Sequence, residues 1–340
     1  MPLPTPDQFR AMIEAAAAGR FAYPAVNVTS TQTLNAAIRG LAEAGADGIV
    51  QITTGGAAYL AGPAADPVLG ARAFAAAAHE LAAAARVFVA LHTDHVPAEK
   101  ADGFLRPLLA ESAARVRAGG VPLFHSQMFD GSTLPLEDNL RASARWLDLA
   151  HAADVVLELE VGVVGGAEDD VDGTRADPER LYTTSDDLLR TAAALGAGER
   201  GRYLLAATFG NVHGSHAPGQ VRLRPEILRD GQEALARARP GARFDYVFHG
   251  SSGSTVAELE AAIGYGVVKV NLDTDAQYAF TRAVASHVLD HWDGVLRVDG
   301  GLGDKGAYDP RAWGRRAEAA MADRVAEAAE QLGAAGRSLA

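Results

Sequence analysis

Short apolar runs alternate along the chain with longer stretches of helical periodicity. The runs cover Ala22–Thr29, Gly48–Thr53, Val87–Thr93, Pro122–Phe129, Asp154–Val161, Tyr203–Phe209, Phe244–His249 and Val267–Leu272. Rich in β-branched and aromatic residues, they have the continuous character that strands covered on both faces require. Helical patterns follow over Gln32–Ala44, Gly70–Ala85, Phe104–Ala118, Leu136–His151, Ser185–Leu195, Pro225–Arg237, Val256–Tyr265 and Asp275–His291. Eight strands each followed by a helix is the count of a (β/α)8 TIM barrel, and the span from Ala22 to Leu272 has the usual barrel length of about 250 residues. Asp309–Leu332 predicts one or two extra C-terminal helices, packed across the barrel or against a partner chain. No linker or low-complexity tract interrupts the pattern, so residues 1–340 are expected to form a single domain.

Composition narrows the chemistry. The 340 residues carry 31 Lys+Arg against 43 Asp+Glu, a net charge of -12, which argues against a nucleic-acid or anionic-membrane partner. The chain has no cysteine, so disulfides, thiolate nucleophiles and Cys-based metal sites are excluded, and any metal must sit on His, Asp or Glu. No stretch reaches the ~18 uninterrupted apolar residues of a membrane span, and the first ten residues lack the apolar centre of a signal peptide. A cytoplasmic location is expected.

Polar residues gather at one end of the predicted strands. They are Leu91–His95, His125–Asp130, Glu158–Glu160, Gly210–Gly214, His249–Ser254 and Asn271–Asp275. In a barrel these C-terminal strand ends converge on the active-site face. His95, His213 and His249 close three different strands, and three imidazoles with an open fourth position is the ligand set of catalytic zinc. Any one of them alone reads equally well as a strand cap. His92, three residues before His95 on an extended segment, is expected to point to the opposite face and to be structural. Asp94 stands where it can exchange a proton with a metal-held oxygen group. Asp130 and Glu160 can form a second site for a divalent or monovalent cation, or orient the histidines through their distal ring nitrogens. Glu168 lies in a glycine-hinged acidic loop, Gly165–Asp170, which suits a lid that delivers a base. Gly250–Ser254 and Asp273-Thr274, after strands seven and eight, occupy the place of the barrel phosphate site.

Several long motifs run through these positions: Ala90–His95, Val163–Gly166, Ala206–Gly214, Val247–Gly250 with Ser252–Thr255, Gly266–Asp275 and Tyr308–Arg311. With them the sequence resembles the class II, metal-dependent fructose-bisphosphate aldolases, type A subgroup, along nearly its whole length. The resemblance implies reversible cleavage of fructose 1,6-bisphosphate to dihydroxyacetone phosphate and glyceraldehyde 3-phosphate, a step of glycolysis and gluconeogenesis. It implies His95, His213 and His249 as zinc ligands, bordered by Asp130 and Glu160. Asp94 is implied to move the proton of the C4 oxygen, Glu168 the proton of the ketone donor, and Asn271 to steady the enediolate. Thr53, Gly214, Gly250, Ser252, Asp273 and Thr274 fall on the donor side of the substrate site, and Arg311 on the aldehyde-side phosphate. A homodimer or higher homo-oligomer is expected. Other readings are the same chemistry on a different sugar phosphate, a non-catalytic binding protein, and a Schiff-base aldolase using Lys269.

The sequence also departs from the family pattern. Ala217 replaces a lysine, Ala167 a second acid beside the loop glutamate, Ser251 a glycine, Gln127 a histidine and Val96 a cysteine, while Thr53 keeps the hydroxyl of a usual serine. A lysine–phosphate contact is a charge-assisted bond worth ~1.5–3 kcal/mol. Its loss at Ala217 should weaken donor-phosphate binding by about 10–100-fold unless His216 compensates. Ala217→Lys is therefore expected to tighten dihydroxyacetone phosphate binding in a titration. Unchanged binding in both Ala217→Lys and His216→Ala would place the donor phosphate elsewhere.

Overall fold

The structure is a computed structural model that describes residues 2–168, 171–172, 178–212, 222–296, 301 and 303–340. Its centre is a closed barrel of parallel strands: β1 (Tyr23–Asn27), β2 (Gly48–Thr53), β3 (Val89–Asp94), β4 (Ser126–Phe129), β5 (Val156–Val161), β6 (Tyr203–Ala207), β7 (Tyr246–Phe248) and β8 (Val267–Leu272). Each strand pairs with its sequence neighbours, and β8 closes on β1 through Tyr23↔Lys269 and Ala25↔Asn271. All eight expected strands are present, several shorter at their N-terminal ends than the apolar pattern suggests. There, residues such as Phe124 and Val155 are buried in the core without pairing as strand.

The period-two alternation of a strand sorts the barrel interior into layers. At the N-terminal end, Ala25, Ile49, Ala90, Val156, Leu204 and Val247 pack with Phe9, Met12, Ile13 and Ala16 of a helix over Pro6–Gly19. Two residues further along the same strands, the inward positions become Asn27, Gln51, His92, Glu158 and His249, all buried. The barrel is thus apolar at its closed end and polar toward its mouth. Leu91, Leu157, Leu159, Leu205 and Phe248 belong instead to the apolar layer shared with the surrounding helices.

The plugging helix lies outside the strand–helix alternation, and its buried residues Phe9, Met12, Ile13 and Ala16 have the i, i+3, i+4, i+7 spacing of one helix face. Pro6 sits within the first turn, where its missing N–H costs nothing, and Thr5 caps the helix in a reciprocal capping box with Gln8. The tail forms a short helix, Lys305–Tyr308, and one long helix, Pro310–Gln331. The long helix packs on the barrel helices Thr31–Ala44 and Thr274–Asp290. Gly40 permits the approach: a Cβ there would lie 2.4 Å from the Ala322 carbonyl oxygen. Among the described residues, no helix is long and apolar enough to cross a membrane.

One buried histidine makes the fold acid-sensitive. His125 is 1% exposed, its Nδ1 accepts the Leu91 N–H at 2.9 Å and its Nε2 donates to the Pro4 carbonyl at 2.9 Å. Burial, aided by the charges of His79 and Arg115 and opposed by the Pro4 bond, pushes its pKa from 6.5 down to about 3. The unfolded chain therefore binds a proton that the folded chain refuses between these values, so stability present above pH 6.5 is lost as pH falls toward 3. The slope from this group is about 1.4 kcal/mol per pH unit. His125→Gln, which retains a donor and an acceptor, should flatten the pH dependence of denaturant-measured stability below pH 6.5 by about one proton. An unchanged slope would show that His125 is not held neutral.

Candidate active site

Asp94, the last residue of β3, is fully buried and receives side-chain amides from three strands. Asn27 Nδ2 donates to it at 3.1 Å, Gln51 Nε2 at 2.9 Å, and Asn271 Nδ2 at 3.2 and 3.3 Å to its two oxygens. Burial alone would raise its pKa. The charges of His95, Lys269, His249 and His92 outweigh burial and hold the carboxyl at about 2. Asp94 is therefore a pre-oriented carboxylate at neutral pH.

His95 follows directly with φ +41, a left-handed backbone that a non-glycine residue adopts only under constraint. The consequence is that consecutive residues both reach the barrel mouth. Ligand atoms of Asp94, His95 and His249 lie within 4.8 Å of one another, and the two imidazole centroids are 4.6 Å apart. Strand alternation stops at this residue, so the expectation that His92 and His95 face opposite ways does not hold. His92 also faces inward, with Nδ1 2.8 Å from Ser126 Oγ and Nε2 3.6 Å from Glu158. Burial, then the charge of Lys269, holds His92 at a pKa of about 3, in keeping with a structural role.

Each of the two ligand candidates is gripped by an acid. Asp130 Oδ2 lies 3.0 Å from His95 Nδ1, which leaves Nε2 as the nitrogen that can face a metal. His95, bonded to it, outweighs burial and lowers the Asp130 pKa, with help from Ser132. Glu160 Oε2 lies 2.9 Å from His249 Nδ1, and Glu158 Oε1 lies 2.8 Å from His249 Nε2. Against burial and the His95 charge, these two acids raise the His249 pKa to about 9. Glu158 is itself held well below its usual range, because Lys269 and the two histidines outweigh its burial. His95, Asp130 and Glu160 form a second group with metal-ligand spacing.

The remaining expected positions are distributed unevenly. His213 and Gly214 lie outside the described residues, as do Ala217, His216 and the side chains of Ala167 and Glu168. The backbone of Ala167–Glu168 pairs antiparallel with Val171–Asp172 in a small ribbon beyond β5. Asn211 Nδ2 donates to the His249 carbonyl at 2.8 Å, and Gly250 meets the Val212 backbone so closely that a Cβ would lie 2.6 Å from its oxygen. Thr53 Oγ1 caps the helix Thr54–Leu60 by accepting from Gly56 N–H at 3.0 Å. Ser252 sits in the turn after β7, and Asp273 and Thr274 begin the helix after β8, where Asp273 also accepts from Gln277. Arg311 is not brought to this cluster: its guanidinium pairs with Asp309 and its side chain is 76% exposed.

The sequence motifs assign no role to Asn27 or Gln51, place Glu158 only among the polar strand ends, and offer Lys269 only as an imine-forming amine. The signal that finds them is the strand period, which places them on the inward face with Asp94 and Asn271. Lys269 Nζ is buried between Glu158, 2.9 Å away, and Asn271 Oδ1, 2.8 Å away. A nucleophilic amine needs to be open to a substrate carbonyl, so this placement disfavours the Schiff-base reading.

Residues 7–337 match the family described as class-II fructose-bisphosphate aldolase. The chain is 56% identical to a fructose-bisphosphate aldolase of Streptomyces galbus, with all of both chains covered. It is 52% identical to one from Mycobacterium leprae, covering 100% of this chain and 99% of that one. A solved fructose-bisphosphate aldolase from Campylobacter jejuni superimposes with a TM-score of 0.85 at 34% identity, covering 99% of this chain and 97% of the other. By sequence, barrel and site, the chain belongs to the class-II fructose-bisphosphate aldolase family.

Proposed function

We propose that this chain is a zinc-dependent aldolase that reversibly cleaves fructose 1,6-bisphosphate into dihydroxyacetone phosphate and glyceraldehyde 3-phosphate. The observation that carries the reading is the meeting of His95, His249 and the pre-oriented Asp94 at the barrel mouth, each histidine gripped by an acid. Relatives named fructose-bisphosphate aldolase and matched over full length favour this substrate over another sugar phosphate.

The donor chemistry fits a divalent metal. Four buried carboxyl groups, those of Asp94, Asp130, Glu158 and Glu160, face one permanent cation among the described residues of the cluster, Lys269. Glu158 and Glu160 favour the protonated form of His249, and as a metal ligand His249 would be neutral. His95, His213 and His249 would hold zinc, with Asp130 and Glu160 orienting two of them. The Val212–Gly250 contact supports His213 as the third member, because it ties the chain just before His213 to the residue after His249. Bound zinc supplies a Lewis acid at the donor carbonyl. A second divalent or monovalent cation would find its ligands in Asp130 and Glu160 with His95.

The chain's own residues move the protons. In the cleavage direction Asp94, ionised at rest, accepts the proton of the C4 hydroxyl as the C3–C4 bond breaks. The bonding pair passes into the donor half, where the Asn271 amide donates to the enediolate. Glu168, carried on its loop, returns a proton to C3. Thr53, Gly214, Gly250, Ser252, Asp273 and Thr274 position the donor. The exposed Tyr278, Leu289, Trp292 and Leu296 support a homodimer or higher homo-oligomer, and a cysteine-free chain suits the cytoplasm.

Two outcomes test this reading. Chelation should abolish cleavage, zinc or cobalt should restore it, and borohydride with substrate should trap no adduct; activity that survives complete metal removal would contradict it. Glu168→Ala should slow turnover by about 10²–10⁴-fold at unchanged metal content, the range for a lost general acid or base. A fully active variant would return Glu168 to a solvated charge.

A further inference from the structure

A side-chain amide can present either of two nearly isosteric ends, and only one is useful to an electron-rich intermediate. Asn271 must offer Nδ2 rather than Oδ1 to the donor oxygen. Its contacts to Asp94 are long, at 3.2 and 3.3 Å, and alone fix the amide weakly. The short contact is at the other end, where Lys269 Nζ donates to Oδ1 at 2.8 Å. Lys269 and Asn271 are two residues apart on β8 and share its inward face. An ammonium has three donors and no acceptor, so only the oxygen end of the amide can face it.

We propose that Lys269 is the positioning residue that locks the Asn271 amide with its N–H group toward Asp94 and the reacting oxygen, and that Glu158 is its counter-charge. Reversing the amide would set Oδ1 against the Asp94 carboxylate and Nδ2 against the ammonium, so both neighbours reject it. Lys269 is 1% exposed, and its charge is tolerated there because Glu158 Oε1 and Oε2 lie 3.1 and 2.9 Å away. Glu158 in turn holds His249 Nε2 at 2.8 Å, so one acid joins the amide's anchor to a metal-ligand candidate. The polar interior beneath the site is then a positioning frame in which Lys269 touches no substrate. This inference rests on the assignment of Asn271 to the enediolate.

The test is a double-mutant cycle. Lys269→Met with Glu158→Gln removes both charges together and leaves no unpaired buried ion. The paired variant is expected to bind zinc at the stoichiometry of the unaltered chain and to keep its KM, while kcat falls about 10–100-fold, the loss of one well-placed hydrogen bond to a charged group. Asn271→Ala should lower kcat in the unaltered chain by at least as much, but should cost less than about threefold more in the paired variant, because the amide is no longer held in place. If Asn271→Ala costs the same in both backgrounds, Lys269 does not act through Asn271 and the proposal is overturned. If Asn271→Ala has no effect in the unaltered chain, the assigned role of Asn271 fails, and this proposal with it. Should the paired variant not fold, the same cycle is run on Lys269→Gln with Glu158→Gln, which again leaves no unpaired buried ion and puts a glutamine there that can face either end of the amide.

Discussion

The structure depends on an excess of buried negative charge at the barrel mouth. A carboxylate far from water is costly unless it is paired and hydrogen-bonded. Here Asp94 is met by three amides, Asp130 by His95 and Ser132, Glu158 by Lys269 and His249, and Glu160 by His249. Among the described residues Lys269 is the one permanent cation facing these four carboxyl groups, and the remaining negative charge accounts for both the raised His249 pKa and the fit of a divalent ion. Ligand orientation, a pre-ionised Asp94 and the alignment of Asn271 all follow from satisfying the same charges.

The barrel makes this arrangement affordable by segregation. Its closed end is apolar and plugged by the Pro6–Gly19 helix, which keeps water from the polar layers from below. Ion pairs from Arg10 to Asp154, and from Glu14 to Arg202 and Arg243, tie that helix to the barrel rim. At the other end the strands stop in glycine-rich turns, and the left-handed backbone of His95 and the close approach of Gly250 to Val212 draw adjacent loops inward.

Much of this was legible in the chain. The strand–helix alternation gives the barrel, because continuous apolar runs and helical periods are local signals that the fold does not override. His95, His249, Asp94, Asp130 and Glu160 are legible because polar residues have no packing reason to gather at one end of successive strands. The plugging helix carries a helical apolar period at Phe9, Met12, Ile13 and Ala16, but its place across the closed end is set by tertiary packing that no local signal shows. Nor is the inward turn of His95 legible, because a positive φ at a non-glycine residue is set by tertiary context. Lys269 is the instructive case: the sequence offers it as an imine-forming amine or a residue of a packed strand, and only its contacts with Glu158 and Asn271 show an anchored cation.

The central claim is that His95, His213 and His249 together hold the catalytic zinc. X-ray absorption at the zinc edge of the metal-loaded chain measures that coordination directly. The account predicts imidazole nitrogen scatterers at about 2.0–2.1 Å. Three imidazoles should be present in the unaltered chain and two in His213→Ala. A spectrum without imidazole scattering, or one that His213→Ala leaves unchanged, would contradict it.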